Sequence, residues 1–220
     1  MRYVSWAVLY EGPSDALYLD VLLPRVIREL IASEGAVLAD IPDAPAVQLG
    51  RFGHEVDAVA EEACEARDAF EIVFIHADVG GRNLEQGLQN RSGAYCDAMH
   101  EKCELPVDRC VPINPRHETE AWLLADAAAV AEALGFRGLP SSIGLPNDAR
   151  EADRLPDPKR VLADAIATVA GRRRSQRIET LFPAIAQRQT IGCLRQSPSF
   201  RNFEERLRTC LRAIGCLDRA

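Results

Sequence analysis

The chain has 220 residues, 47% of them hydrophobic and 27% charged, with a formal net charge of −7. That length suits one large α/β domain, or a domain with an appended helical region. The composition excludes a disordered chain, and no apolar run reaches membrane length. The N-terminus lacks the layout of a signal peptide, so the cytoplasm is the expected compartment and no membrane is an expected partner.

The first predicted element is a strand over Tyr3–Leu9, rich in β-branched and aromatic residues. It ends at Glu11 and turns at Gly12 and Pro13. A helix follows, with Ser14 as its expected N-cap. Leu17, Val21, Leu22, Val26, Leu30 and Ile31 recur there at helical spacing. A turn-rich stretch, Asp40–Pro45, leads to a short strand over Ala46–Leu49. Glu55–Ala69 reads as an acidic helix with alanines on its inner face. Ile72–Ile75 is wholly apolar and β-branched or aromatic, as in a buried central strand. A polar, glycine-containing loop runs from Gly80 to Gly93, and a helix follows over Ala94–Cys103. Val111–Ile113 is a fourth strand, closed by Pro115. A helix is expected from His117 to Leu134.

Strands alternating with helices imply an α/β fold, a mostly parallel four-stranded sheet of Rossmann-like type flanked by helices. Residues 1–135 form this α/β domain. Residues 136–157, rich in Gly, Pro, Ser and Asn, read as a linker. Residues 158–220 read as a C-terminal helical extension packed on the first part, with helices over Pro158–Gly171, Ile178–Arg188 and Ser199–Gly215. Charge divides in the same way. Residues 1–149 hold 11 Lys/Arg against 25 Asp/Glu, and residues 150–220 hold 15 against 8. An acidic part suited to metal and a basic part suited to phosphate is one reading. Mutual attraction of the two parts, or solvated arginines, is the other.

Seven cysteines, an odd number with no CxxC pair, indicate reduced thiols. Cys96, His100, Cys103 and Cys110 have ligand types that suit zinc, but not the spacing of a standard finger or ribbon. Ordinary packing on one helix face is the alternative, since 96, 100 and 103 fall at i, i+4 and i+7.

The acids carry the chemistry. Glu11 and Asp78 both follow predicted strands, at the rim where open α/β sheets place ligands. Asp15 lies one helical turn after Glu11 and is placed to reach back towards it. His76 shares a strand face with Asp78 and can bind a metal or share a proton. In the block NPRHETEAWLLAD, residues 114–126, Arg116, His117, Glu118 and Glu120 make a dense polar group at the end of the fourth strand. Acids at helix starts also serve the helix dipole. Several acids in one pocket repel unless cations hold them, and Mg2+ or Mn2+ takes oxygen ligands and completes its shell with water or phosphate. Arg172, Arg173 and Arg174 are candidates for nucleic-acid phosphates, whereas Phe200 and Phe203 read as the buried face of the last helix. No P-loop, dinucleotide glycine fingerprint or nucleophile elbow is present.

The segments LYEGPSD (9–15) and HAD (76–78) resemble the TOPRIM domain of topoisomerases, primases and OLD-type nucleases. Glu11 takes the position of the strand-end Glu. Its spacing to Asp15 is similar to the ExxxD of OLD-type nucleases. HAD falls on the DxD motif, keeping the second acid as Asp78 and replacing the first by His76. More narrowly, EGPSD, PRHETEAWLLAD, DPK (157–159) and LRQSPSFRNF (194–203) resemble a group of bacterial TOPRIM-like proteins. The resemblance implies a metal-dependent nuclease acting on DNA or RNA beside an ABC- or SMC-like ATPase, as an effector of defence against phage. For a nuclease of this kind the candidate catalytic residues are Glu11, His76, Glu118 and Glu120, and the candidate ligands of Mg2+ or Mn2+ are Glu11, Asp15 and Asp78. Arg116 and Arg172–Arg174 would contact nucleic acid. The alternative is a catalytically inactive regulatory subunit of an ATPase complex, supported by the His76 substitution. A homodimer is left open.

Overall fold

The first predicted strand divides in two, because its halves find different partners. Arg2–Tyr3 (β1) pairs in parallel with Ala39–Asp40 (β3), and Trp6–Leu9 (β2) enters the main sheet. The structure, a computed structural model, describes residues 1–35, 37–51, 53–79, 86, 91–170 and 178–218. The main sheet is completed by Val47–Gln48 (β4), Ile72–His76 (β5) and Cys110–Ile113 (β6). It is four-stranded and parallel, in the order β4-β2-β5-β6. The expected α/β class and sheet are therefore present.

Alternation along the strands builds two cores. Trp6, Val8, Ile72, Phe74, Val111 and Ile113 face the helix Pro13–Glu34 (α1) and the C-terminal helices. Ala7, Leu9, Val73, Ile75 and Cys110 face Val56–Glu65 (α2) and Gly93–Cys103 (α3). The chain leaves β2 for β4 on one side, then returns to β5 on the other. The C-terminal ends of β2 and β5 thus flank the switch point, the crevice where sheets of this kind bind ligands.

The helix expected over His117–Leu134 is instead two helices, Glu120–Leu123 (α4) and Ala127–Ala133 (α5). The break lies at Asp126, whose Oδ1 accepts from Ala129 N at 3.1 Å and Oδ2 from Thr190 N at 3.0 Å. That carboxylate starts a new helix and ties it to the C-terminal region. Likewise α1 is capped at Gly12 and not at Ser14, with Asp15 Oδ2 accepting from Gly12 N at 2.9 Å.

Residues 136–157, expected as a linker, contain the 3-10 turn Pro140–Ile143 and the helix Ala149–Ala152 (α6). Ile143, Leu145, Ala149 and Ala152 lie in the same core as β2 and β5. Helices Pro158–Ala170 (α7), Phe182–Arg188 (α8), Ile191–Leu194 (α9) and Pro198–Ala213 (α10) follow. Phe200 meets Trp122 edge-on, with ring centroids 5.1 Å apart. Phe203 packs on Trp122, Phe200 and Phe74. The expectation that both phenylalanines are buried matches this arrangement.

The cysteines depart from expectation. Cys64 and Cys103 form one disulfide, and Cys96 and Cys110 another. Both pairs join α3 to neighbouring elements, with Cα separations of 5.7 and 5.6 Å that suit such bonds. The partner sulfurs lie on other elements, where sequence spacing gives no sign of them. The proposed zinc set of Cys96, His100, Cys103 and Cys110 is thereby overturned: its three sulfurs are consumed, and His100 Nδ1 lies 3.0 Å from the Leu105 carbonyl oxygen. The argument for a reducing compartment from unpaired cysteines falls with it. Among the described residues no helix is long and apolar enough to cross a membrane.

Two outcomes follow. Thiol titration of the denatured, unreduced protein should count three thiols, Cys193, Cys210 and Cys216; a count of seven would contradict the pairing. Phe203→Ala should lower stability by about 3–5 kcal/mol in chemical denaturation, because the lost ring joins the C-terminal helix to the sheet. A loss within experimental error would mean that the C-terminal helices are not part of the main core.

Candidate functional site

The two strand ends predicted to carry acids meet. Glu11 lies two residues beyond β2, and its Oε2 accepts from the Asp78 backbone N–H at 2.7 Å. The Glu11 N–H in turn points to His76 Nδ1 at 3.4 Å. This reciprocal contact ties together the ends of two hydrogen-bonded parallel strands. It also assigns Nδ1 of neutral His76 as the acceptor and leaves the proton on Nε2.

His76 ends β5 with its ring fully enclosed. Its Nε2 lies 3.0 Å from Thr119 Oγ1 and 3.4 Å from Asp78 Oδ1. The second contact is long for a hydrogen bond and is chiefly electrostatic. Thr119 Oγ1 donates onward to Asp15 Oδ1 at 2.8 Å. A buried chain therefore runs from His76 through Thr119 to Asp15, whose other oxygen caps α1 at Gly12. Asp15 Oδ2 also stands 3.7 Å from His76 Nδ1.

Burial lowers the pKa of His76, but contact with Asp78 and the negative charges of Asp15, Asp78 and Glu11 outweigh it, so the net shift is upward. The Asp78 carboxyl is also raised. Burial is the main cause, Asp15 and Glu11 add to it, and His76 opposes it. Glu120 begins α4 and is buried, which pushes its carboxyl up to about 7; Glu118 and Asp78 reinforce that rise, and Lys159 opposes it. Glu120 thus feels the charges of Glu118, Asp78 and Lys159.

Two carboxylate oxygens there are buried without a hydrogen-bond partner, Asp78 Oδ1 and Glu118 Oε2. Such atoms are costly unless something satisfies them. Among the described residues, no group of three or more His, Cys, Asp or Glu side chains could hold a metal ion unaided. Mg2+ does not require one: it keeps waters and is commonly held by one or two carboxylates together with substrate phosphate. The donor chemistry at Asp78 and Glu11, with a buried oxygen left over, fits such an ion.

Several participants were not foreseen. Arg91 precedes α3 and donates from Nη1 to the Asp78 carbonyl oxygen, while Nη2 lies 3.3 Å from Glu11 Oε1. Buried Asn114 donates to the Ala77 carbonyl at 2.7 Å and accepts from Ser92 Oγ at 2.8 Å, holding the segment after β5 in place. Thr119 looks like an ordinary N-cap in the sequence, yet its hydroxyl makes no cap bond because it is spent on Asp15 and His76. Lys159 was visible only as part of the DPK motif. Arg116 is exposed at the turn after β6. Arg172, Arg173 and Arg174 lie outside the described residues, as do Gly80 and Gly81.

Residues 10–208 match the family described as Domain of unknown function (DUF4276). The chain belongs to the DUF4276 family. The matched span begins one residue before Glu11 and takes in every residue of the rim described above. No curated protein and no solved structure matches the chain. For this DUF4276 member the chemistry must therefore be argued from the rim itself.

Thr119→Val keeps the shape of the side chain but removes the hydroxyl between His76 and Asp15. It should cost about 1–3 kcal/mol of stability by urea denaturation, with Thr119→Ser close to the parent. An unchanged midpoint for the valine variant would contradict the buried chain.

Proposed function

We propose that the rim formed by Glu11, Asp15, His76 and Asp78 is the centre of a metal-dependent phosphodiester hydrolase, a nuclease of TOPRIM type. The observation that carries this reading is the meeting of Glu11 and Asp78 at the switch point, beside a buried Asp78 oxygen that has no hydrogen-bond partner and only the longer contact with His76. Asp78 and Glu11 are the residues to hold Mg2+ or Mn2+. Bound there, the ion would supply positive charge to the oxygens of the phosphodiester.

The chain's own groups divide the remaining work. Asp15 and Thr119 orient His76, and His76 fixes the backbone at Glu11 and faces Asp78. His76 is thus a positioning residue, enclosed behind the acids. Glu120 retains a proton near neutral pH that an ordinary carboxyl has lost, which suits proton donation to a leaving oxygen. Glu118, with one buried oxygen that has no hydrogen-bond partner, would add a further carboxylate to the site. Arg91 and Lys159 would meet phosphate charge, and Arg116 with Arg172–Arg174 would extend that contact along a strand of nucleic acid. By the resemblance to TOPRIM-like proteins, an ABC- or SMC-like ATPase is the partner and defence against phage the setting.

One observation favours a second reading. Arg91 already pairs with Glu11 from within the molecule, so the rim acids are held together without a cation, as suits a noncatalytic subunit. The two readings part on activity. Purified protein should cleave DNA or RNA with Mg2+ or Mn2+ and stop when the metal is chelated. Glu11→Gln and Asp78→Asn should each lower the rate about 10²–10⁴-fold. Cleavage that survives both substitutions would remove this site, and no cleavage with either ion would favour the noncatalytic subunit.

A further inference from the structure

Two recesses open beside Glu11, and both are lined by Glu11 and His54. The larger, about 760 Å³, runs over β4 past Gln48 and Gly50. The smaller, about 260 Å³, is lined also by Arg91 and Tyr95. Neither His54 nor Tyr95 belongs to the acidic rim.

Both recesses have fixed walls. The Glu62 carboxylate accepts from the N–H groups of Gly50 and Arg51, at 2.8 and 3.2 Å, and pins the turn that floors the larger one. Gly50 has φ +90°, and a Cβ there would meet Leu9 Cδ1 at 2.9 Å and lie 3.4 Å from His54 Nε2. Glycine therefore lets the His54 ring rest against the turn. On the other side, the Tyr95 hydroxyl donates to the His54 carbonyl at 2.6 Å. Tyr95 thus holds the backbone of His54, while the exposed His54 ring lies beside the Gly50 turn and lines both recesses.

A scissile phosphodiester has a nucleotide on each side, and two recesses share Glu11 in their lining. A base inside a duplex is stacked and paired. It can enter a protein recess only by leaving the stack, which costs least in a single strand or a frayed end. Rings such as those of His54 and Tyr95 suit unstacked bases of any sequence. From this, and resting on the hydrolytic reading of the rim, we infer that the substrate is single-stranded nucleic acid, with the nucleotides flanking the scissile phosphate seated in the two recesses and His54 between them.

The test is fluorescence anisotropy on the full chain with a labelled oligonucleotide, offered as a single strand and as a blunt duplex, in chelator. The single strand should bind roughly tenfold or more tightly than the duplex. Gln48→Trp, at an exposed position lining the larger recess, should fill it and weaken single-strand binding by about the same factor. His54→Ala should weaken it as well, and Ala46→Trp offers a second way to fill the space if the first variant fails to fold. Equal or tighter duplex binding, no binding of either form, or filled variants that bind like the parent would each overturn the inference. Single-strand preference that the filled variants lose, in a protein that cleaves nothing with Mg2+ or Mn2+, would support the recesses as a single-strand site while ending the hydrolytic reading.

Discussion

The rim depends on one contact, the hydrogen bond from the Asp78 backbone N–H to the Glu11 carboxylate. It joins the ends of β2 and β5, so the side chains that follow each strand are brought to one crevice. Carboxylates gathered in this way repel each other and would splay in water. Here they are held by groups that cannot move freely: backbone N–H groups at Gly12 and Asp78, a hydroxyl at Thr119, an enclosed imidazole and the Arg91 guanidinium. Burial raises the Asp78 and Glu120 carboxyls and neighbouring carboxylates add to the rise, while the acids around His76 carry it upward against its burial.

Much of this was legible in the sequence because it depends on local pattern. The apolar run Ile72–Ile75 announced a central strand, and the strand-end acids announced that carboxylates would gather at the rim of the sheet. That Glu11 and Asp78 would be neighbours followed from parallel strands whose C-terminal ends lie together. What remained hidden depends on contacts distant in sequence. Thr119 gives no sign of its task, since a threonine before a helix reads as a cap. Arg91 sits in a polar stretch without periodicity and acquires meaning only opposite Glu11. The break at Asp126 was missed because its carboxylate is satisfied by Thr190, far along the chain.

The cysteines show the same limit more sharply. Read alone, Cys96, His100 and Cys103 form a helix face, and the choice lay between zinc and packing. The deciding atoms belong to Cys64 on α2 and Cys110 at the start of β6. The resulting bonds fasten both ends of α3, the helix preceded by Arg91 and Ser92, to the rest of the second core. That anchoring gives a mechanical reason for the fixed position of Arg91 against Glu11 and of Ser92 against Asn114.

The central claim is that the oxygens of Asp78 and Glu11 form a seat for a divalent cation. Electron paramagnetic resonance titration with Mn2+ examines it without requiring a substrate or turnover. The parent protein should remove one equivalent of free Mn2+ signal at concentrations where Asp78→Asn, folded to the same extent, removes none. Equal uptake by parent and variant, or no uptake by the parent even at millimolar Mn2+ as commonly used for such ions, would contradict the account.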